Sequence, residues 1–211
     1  AQRLPAFPGQ LLDKEMAYLG GILTKPKRPF VAIVGGSKIS TKFMVLENLL
    51  NSVDVLVVGG AMVYTLLKAQ GFNVGQSLVE DSLLDDAAAF LNRVAELNKT
   101  VYIPTDHRVV SSFDAPNSIK TVASAEFEDG DIGVDIGPES IQHISSLIHT
   151  SQCVFWNGPV GVFETSAYAV GTNEIAQAMA DSSATTIVGG GDSIAAINQS
   201  GVSSSIDHIS T

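Results

Sequence analysis

The sequence predicts an α/β fold, a single domain built on a doubly wound, Rossmann-like parallel sheet with helices on both faces. Three observations lead there. Apolar runs such as 30–34 and 53–58 lack polar alternation, as strands buried on both faces do. Stretches of helical spacing separate these runs, and glycine-rich turns join each strand to the next helix. The 211 residues, 45% apolar and 16% charged, suffice for one sizeable core and are too apolar for disorder.

Residues 1–29, with prolines at 5, 8, 26 and 29, read as a lead-in segment carrying one helix over Gly9 to Gly20. Residues 30–211 read as the α/β domain. The strand at 30–34 runs into Gly35-Gly36, and Ile39, Phe43, Leu46 and Leu50 then recur every three or four residues, a helical spacing. The strand at 53–58 meets Gly59-Gly60, and a helix from Ala61 to Gln70 closes on Gly71. A helix over Ser82–Leu97 has Ser82 as its expected cap, with Asp85 three residues on. Thr100–Ile103, stopped by Pro104, is a strand, and 119–122 and 132–136 are weaker strand candidates. Pro138 suits the first turn of a helix reaching about His149. The strand 153–156 breaks into Asn157-Gly-Pro-Val-Gly161. Asn173–Ala180 is helical and 185–188 is a strand. Gly189-Gly-Gly-Asp192 then opens a helix to Gln199, and 205–209 is a last strand.

Composition excludes several functions. With 12 Lys+Arg against 22 Asp+Glu the formal charge is −10, so neither nucleic acid nor an anionic membrane is expected as a partner. No apolar run approaches the roughly 18 residues of a membrane span, and no signal-peptide pattern opens the chain. The lone Cys153 permits no internal disulfide, so a cytoplasmic, reducing compartment is expected, with a plastid or other organelle as the alternative. The two N-x-Ser/Thr triplets, at Asn98 and Asn198, are therefore read as chance. Lacking an initiator Met, the chain is expected to be a fragment.

Four strand ends carry glycine: 35–36, 59–60, 158 with 161, and 189–191. One such turn is ordinary packing; four on one sheet edge, with polar residues attached, favour a nucleotide or phosphate ligand. Neither G-x-x-x-x-G-K-[ST] nor a G-x-G-x-x-G after the first strand is present, which argues against a P-loop protein or a nicotinamide enzyme. Lys38 and Lys42 are four apart beside the first glycine turn. On one helix face they would repel each other and oppose the dipole unless an anion sat there. Asp192 reads either as an N-cap or as a carboxylate for Mg²⁺, and Glu164 either as a ribose contact or as surface. His107, His143, His149 and His208 have no metal-ligand spacing, and Cys153 reads as a buried strand residue. The arginines, at 3, 28, 93 and 108, are too scattered to hold a strongly anionic acid.

These segments resemble phosphoglycerate kinases, specifically the C-terminal nucleotide-binding domain of that family. The resemblance lies in Arg28-Pro-Phe-Val-Ala-Ile-Val-Gly-Gly-Ser-Lys38 with Lys42, Val58-Gly-Gly-Ala-Met62 and Val134-Asp-Ile-Gly-Pro-Glu-Ser140. It continues in Val154-Phe-Trp-Asn-Gly-Pro-Val-Gly-Val-Phe-Glu164, Gly171-Thr172, Ile187-Val-Gly-Gly-Gly-Asp-Ser193 and His208-Ile-Ser-Thr211. The resemblance implies a two-domain hinge-bending kinase. Such an enzyme moves phosphoryl reversibly between 1,3-bisphosphoglycerate and MgADP, giving 3-phosphoglycerate and MgATP. It implies that Lys38 and Lys42 face the nucleotide phosphates, with Lys42 nearer the transferring group. Gly36, Gly59, Gly60, Leu78, Gly133 and Val134 would line the adenine pocket, with Pro159 and Val162 beside the adenosine. Asn157 would meet phosphate and Glu164 the ribose. Gly190, Gly191 and Ser193 would offer a helix N-terminus to phosphate, and Asp192 would hold Mg²⁺. Ser37, Ala61 and Thr41 depart from the family's usual Ala, Gly and acidic residue. The phosphoglycerate site would lie on an N-terminal domain outside this sequence, so the chain, an expected monomer, should bind ATP or ADP without turnover. A stand-alone nucleotide-binding module is the alternative.

Overall fold

A computed structural model describes residues 26–210; the expected helix at 9–20 lies outside the described residues. Nine strands and six α-helices follow from Phe30. They run β1 (Phe30–Val34), α1 (Phe43–Leu50), β2 (Val55–Val58), α2 (Met62–Ala69), α3 (Leu84–Glu96), β3 (Thr100–Tyr102), β4 (Asp106–Val110), β5 (Lys120–Ala123), β6 (Ile132–Ile136), α4 (Pro138–Thr150), β7 (Cys153–Asn157), α5 (Val170–Ala180), β8 (Thr185–Gly189), α6 (Gly191–Ser200) and β9 (His208–Ser210).

Six strands form an all-parallel sheet in the order β3-β2-β1-β7-β8-β9. The chain builds outward from β1 to β3, then returns to place β7 on the other side of β1. Alternate residues of each strand feed two cores, which is why the strands read as unbroken apolar runs. Phe30, Ala32, Val34, Leu56 and Val58 pack with Leu46 and Leu50 of α1, Met62 and Leu66 of α2 and Phe90 of α3. Val31, Ile33, Val57, Val154, Trp156 and Val188 pack with Ile144 and Ile148 of α4, Ile175 and Met179 of α5 and Ile197 of α6.

The expected doubly wound sheet is present, and four details depart from expectation. The candidate strands at 119–122 and 132–136 exist, but as β5 and β6 they flank β4 in a separate antiparallel sheet, β5-β4-β6. The central strand β4 was not legible because its buried residues include Asp106 and His107. Asp106 accepts the Glu139 and Ser140 N–H groups, at 2.9 and 2.8 Å, and so caps α4 across the fold. His107 packs its ring against Tyr64 and Phe127. Ser82 does not cap a helix: it lies in a 3₁₀ turn, and α3 starts two residues later with no side-chain cap bond. Lys38 and Lys42 share no helix face. Lys38 is extended, a 3₁₀ turn spans Ile39–Thr41, and Lys42 begins a new helix. Finally, Asp192 is no N-cap; Gly190 holds that position and Asp192 lies in the first turn of α6.

Candidate nucleotide site at the sheet switch point

The strand order reverses between β1 and β7, and parallel α/β sheets open a crevice beyond the carboxyl ends of such a pair. Here Val34 partners Asn157, and the next amide, Gly35 N–H, still donates to Asn157 O at 2.9 Å. The two turns touch: a Cβ on Gly35 would stand 2.1 Å from Pro159 O. The turn after β2 is as close. Gly60, with φ +71°, brings its Cα so near Gly36 that a Cβ would lie 2.4 Å from the Gly36 carbonyl oxygen.

These contacts leave a cleft of about 220 Å³ over the sheet edge. Of the residues expected at a nucleotide, Gly36, Gly60, Gly133, Val134, Pro159, Val162, Glu164 and Asp192 line it. Its surface is mostly backbone and apolar, with the exposed carboxylates of Glu164 and Asp192 at the rim. Gly59 is buried behind the cleft, where a Cβ would meet Val160 at 2.6 Å. Leu78 does not line it; the side chain is 47% exposed on the segment between α2 and α3.

The remaining candidates gather beside the cleft. Lys42, half-buried, reaches back across Gly36 and donates through Nζ to the Asn157 side-chain oxygen. Its partner there is a neutral amide, which satisfies a donor without bringing an opposite charge to the switch point. Asn157 also borders the third turn, since a Cβ on Gly190 (φ +90°) would lie 3.1 Å from its Nδ2. Gly190 and Gly191 are exposed at the start of α6, where free N–H groups and the helix dipole suit an anion. Ser193 is buried and its Oγ accepts the Gly158 N–H at 2.5 Å, so the side chain ties two turns together instead of facing the cleft. Lys38 is exposed and follows Ser37, a residue of the cleft lining.

Sequence reasoning missed two wall residues, Tyr64 and Asp135, because their signals are tertiary. Tyr64 is buried on α2, and its hydroxyl would lie 1.9 Å from a Cβ on Gly133, which explains the glycine in β6. Burial and the Asp135 charge push the phenol pKa well up. Asp135 is 2% exposed on β6 and accepts Gly171 N–H at 2.7 Å and Ile136 N–H at 2.9 Å. Burial pushes its carboxyl up to about 7, against the pull of those amides and of Arg108. Gly161 and Gly171 both abut this carboxylate, at 2.2 and 2.5 Å from a hypothetical Cβ.

Other chemistries find little support. Among the described residues no three His, Cys, Asp or Glu side chains group as metal ligands. Cys153 is buried, and burial raises its thiol to about 11, which leaves it un-ionised and poorly nucleophilic. No helix among the described residues is long and apolar enough to cross a membrane.

The family model for phosphoglycerate kinase matches residues 1–211. The chain belongs to the phosphoglycerate kinase family. It is 48% identical over 211 residues to the phosphoglycerate kinase of Leptospira biflexa, covering 100% of this chain and 53% of that protein. It is 45% identical over 210 residues to the cytosolic phosphoglycerate kinase of Nicotiana tabacum, covering 98% of this chain and 52% of the relative. The solved phosphoglycerate kinase of Coxiella burnetii superposes with a TM-score of 0.93 at 39% identity, over 96% of this chain and 52% of that one. That of Pyrococcus horikoshii gives 0.83 at 28% identity, over 96% and 51%. The chain therefore spans about half the length of the phosphoglycerate kinases it matches.

Proposed function

We propose that this chain is the nucleotide-binding half of a phosphoglycerate kinase, serving reversible phosphoryl transfer between 1,3-bisphosphoglycerate and MgADP to give 3-phosphoglycerate and MgATP. The observation that carries the reading is the cluster of Lys42, Asn157 and the α6 N-terminus beside a cleft at the sheet switch point. The cleft walls, Gly36, Gly60, Gly133, Val134, Pro159 and Val162, take the adenosine, and Glu164 accepts from the ribose hydroxyls. Gly59 and Ser193 shape the turns from behind.

Phosphoryl transfer asks the protein for positioning and for neutralisation of spreading negative charge. Lys42, Lys38 and the amides at Gly190 and Gly191 supply fixed positive character on the phosphate side of the cleft. The donor set fits Mg²⁺ held mainly by nucleotide oxygens and water, with Asp192 as the protein's carboxylate. When bound, the ion would screen the phosphate charge.

The phosphoglycerate is held elsewhere. Arg28 pairs with Asp54 and Arg93 with Glu47, while Arg108 reaches the Ala167 carbonyl. None of these three points into the cleft. The chain therefore binds nucleotide but completes no turnover without the other half of the enzyme.

Calorimetric titration with MgADP tests the reading. Saturable one-site binding, weakened by Lys42→Ala and by Glu164→Ala, is the expected result. A folded chain that releases no heat and gains no thermal stability from MgADP would overturn it.

A further inference from the structure

The segment between α2 and α3 belongs to no sheet, yet it is fastened to both sides of the proposed nucleotide site. On the β6 side, Ser77 Oγ accepts the N–H of Gly133, a cleft-wall residue, at 3.0 Å. Gln76 N–H donates to Asp131 O at 2.8 Å just before that strand. Towards the core, Glu80 N–H donates at 3.1 Å to Oγ1 of Thr65, which is buried on α2. On the lysine side, the Glu80 carboxylate accepts from Ser40 through both of its oxygens, and the Ile39 amide acts on it as well. Oε2 accepts Ser40 N–H at 3.0 Å and Oε1 accepts Ser40 Oγ–H at 2.5 Å.

Ser40 is the middle residue of the 3₁₀ turn that separates Lys38 from Lys42. Ile39 anchors one end of that turn in the core, and Lys42 N–H donates to Ile39 O and Thr41 Oγ1 to Lys38 O, both at 2.9 Å, but the exposed middle residue is held from outside by Glu80. We infer that Glu80 is a positioning residue: by clamping Ser40 it fixes the turn that aims Lys38 and Lys42 at the nucleotide phosphates. The inference rests on the nucleotide reading above.

The electrostatics agree. Burial raises the Glu80 carboxyl, but the hydrogen bonds from Ser40 and from the Ile39 amide, with the nearby Lys38 charge, outweigh it and hold the group below the ordinary glutamate value. The same carboxylate lies close enough to the exposed Lys38 to offset part of that cation's charge before any phosphate arrives.

A positioning role and a merely structural one differ in which ligand suffers. Adenosine and MgADP would be titrated into the unaltered chain, Glu80→Ala, Ser40→Ala and the double variant, followed by NMR so that weak binding is read. Charge-assisted hydrogen bonds of this type correspond to an expected loss of about tenfold in MgADP affinity for Glu80→Ala. Adenosine should bind all four alike, because it makes no phosphate contact. The double variant should be no weaker than Glu80→Ala, since Glu80→Ala already removes the hydroxyl contact that Ser40→Ala deletes. Ser40→Ala, at an exposed site, keeps the test valid if Glu80→Ala folds poorly. Unchanged MgADP affinity in both single variants, or equal losses for adenosine and MgADP, would overturn the inference. If the unaltered chain binds no MgADP, the nucleotide reading fails as well.

Discussion

At Lys42 the chain keeps an ammonium half-buried against a neutral amide, where a carboxylate would cancel its charge. Removing it should cost most where phosphate charge is greatest. In an enzyme restored by its other half, Lys42→Ala should lower kcat by about 10²–10³, the range for deleting one transition-state donor, with far less effect on adenosine binding. Two buried groups set opposite pH dependences. Asp135 titrates at about 7 in the fold and near 3.9 unfolded, so the folded chain holds the extra proton and stability falls as pH rises from about 4 to 7. His107, pushed down to about 4 by burial, does the reverse: its contribution is complete above about 6.5 and is lost as pH falls to 4. Asp135→Asn should remove the first slope and expose the second. Urea unfolding at a series of pH values should then show the variant gaining roughly 4 kcal/mol relative to the parent between pH 4 and 7. Parallel curves would contradict the assignment.

At the level of elements, α4 depends on a cap from another strand. Pro138 occupies its first position, and the next two N–H groups are met by Asp106 of β4, which also accepts the Ser140 hydroxyl at 2.6 Å. Asp106→Ala would leave the buried Ser140 N–H without its partner and the Glu139 N–H to solvent, and should cost about 1–2 kcal/mol in urea unfolding. Faster amide exchange at Glu139 and Ser140 would place the damage at that helix start. This dependence also marks where the sequence was legible. The β1, β7 and β8 strands stand out because both their faces are apolar. β4 does not stand out, because Asp106 and His107 are satisfied only by partners far away in sequence. Likewise the glycine turns pointed to the sheet edge where the cleft opens, whereas Tyr64 and Asp135 had no local signal. The lysine pair had the right neighbourhood but the wrong geometry, since spacing alone could not reveal the 3₁₀ turn between them.

For the whole molecule, the proposed division of labour predicts complementation. The chain alone should show no phosphoryl transfer from MgATP to 3-phosphoglycerate, and mixing it with the other half of a relative should restore activity. Restored activity that Lys42→Ala abolishes would assign the nucleotide step to this half. Background turnover by the chain alone would refute the division. The fold itself is stabilised from two sides, with separate cores above and below one sheet, so damage on one side need not open the cleft that both share.

The pairing of β1 with β7 also sets a timetable for biosynthesis. Phe30 finds its partner only at Cys153, and the Lys42–Asn157 contact closes over the same span. Closing so long a loop is slow and cannot begin until the later strand exists. A chain growing on the ribosome can fold β1, β2 and their helices early, but it exposes the flank of β1 as an unpaired edge until β7 emerges. The cleft at the switch point is therefore completed late in synthesis, and the exposed β1 edge is the surface that a chaperone would have to guard in the interval.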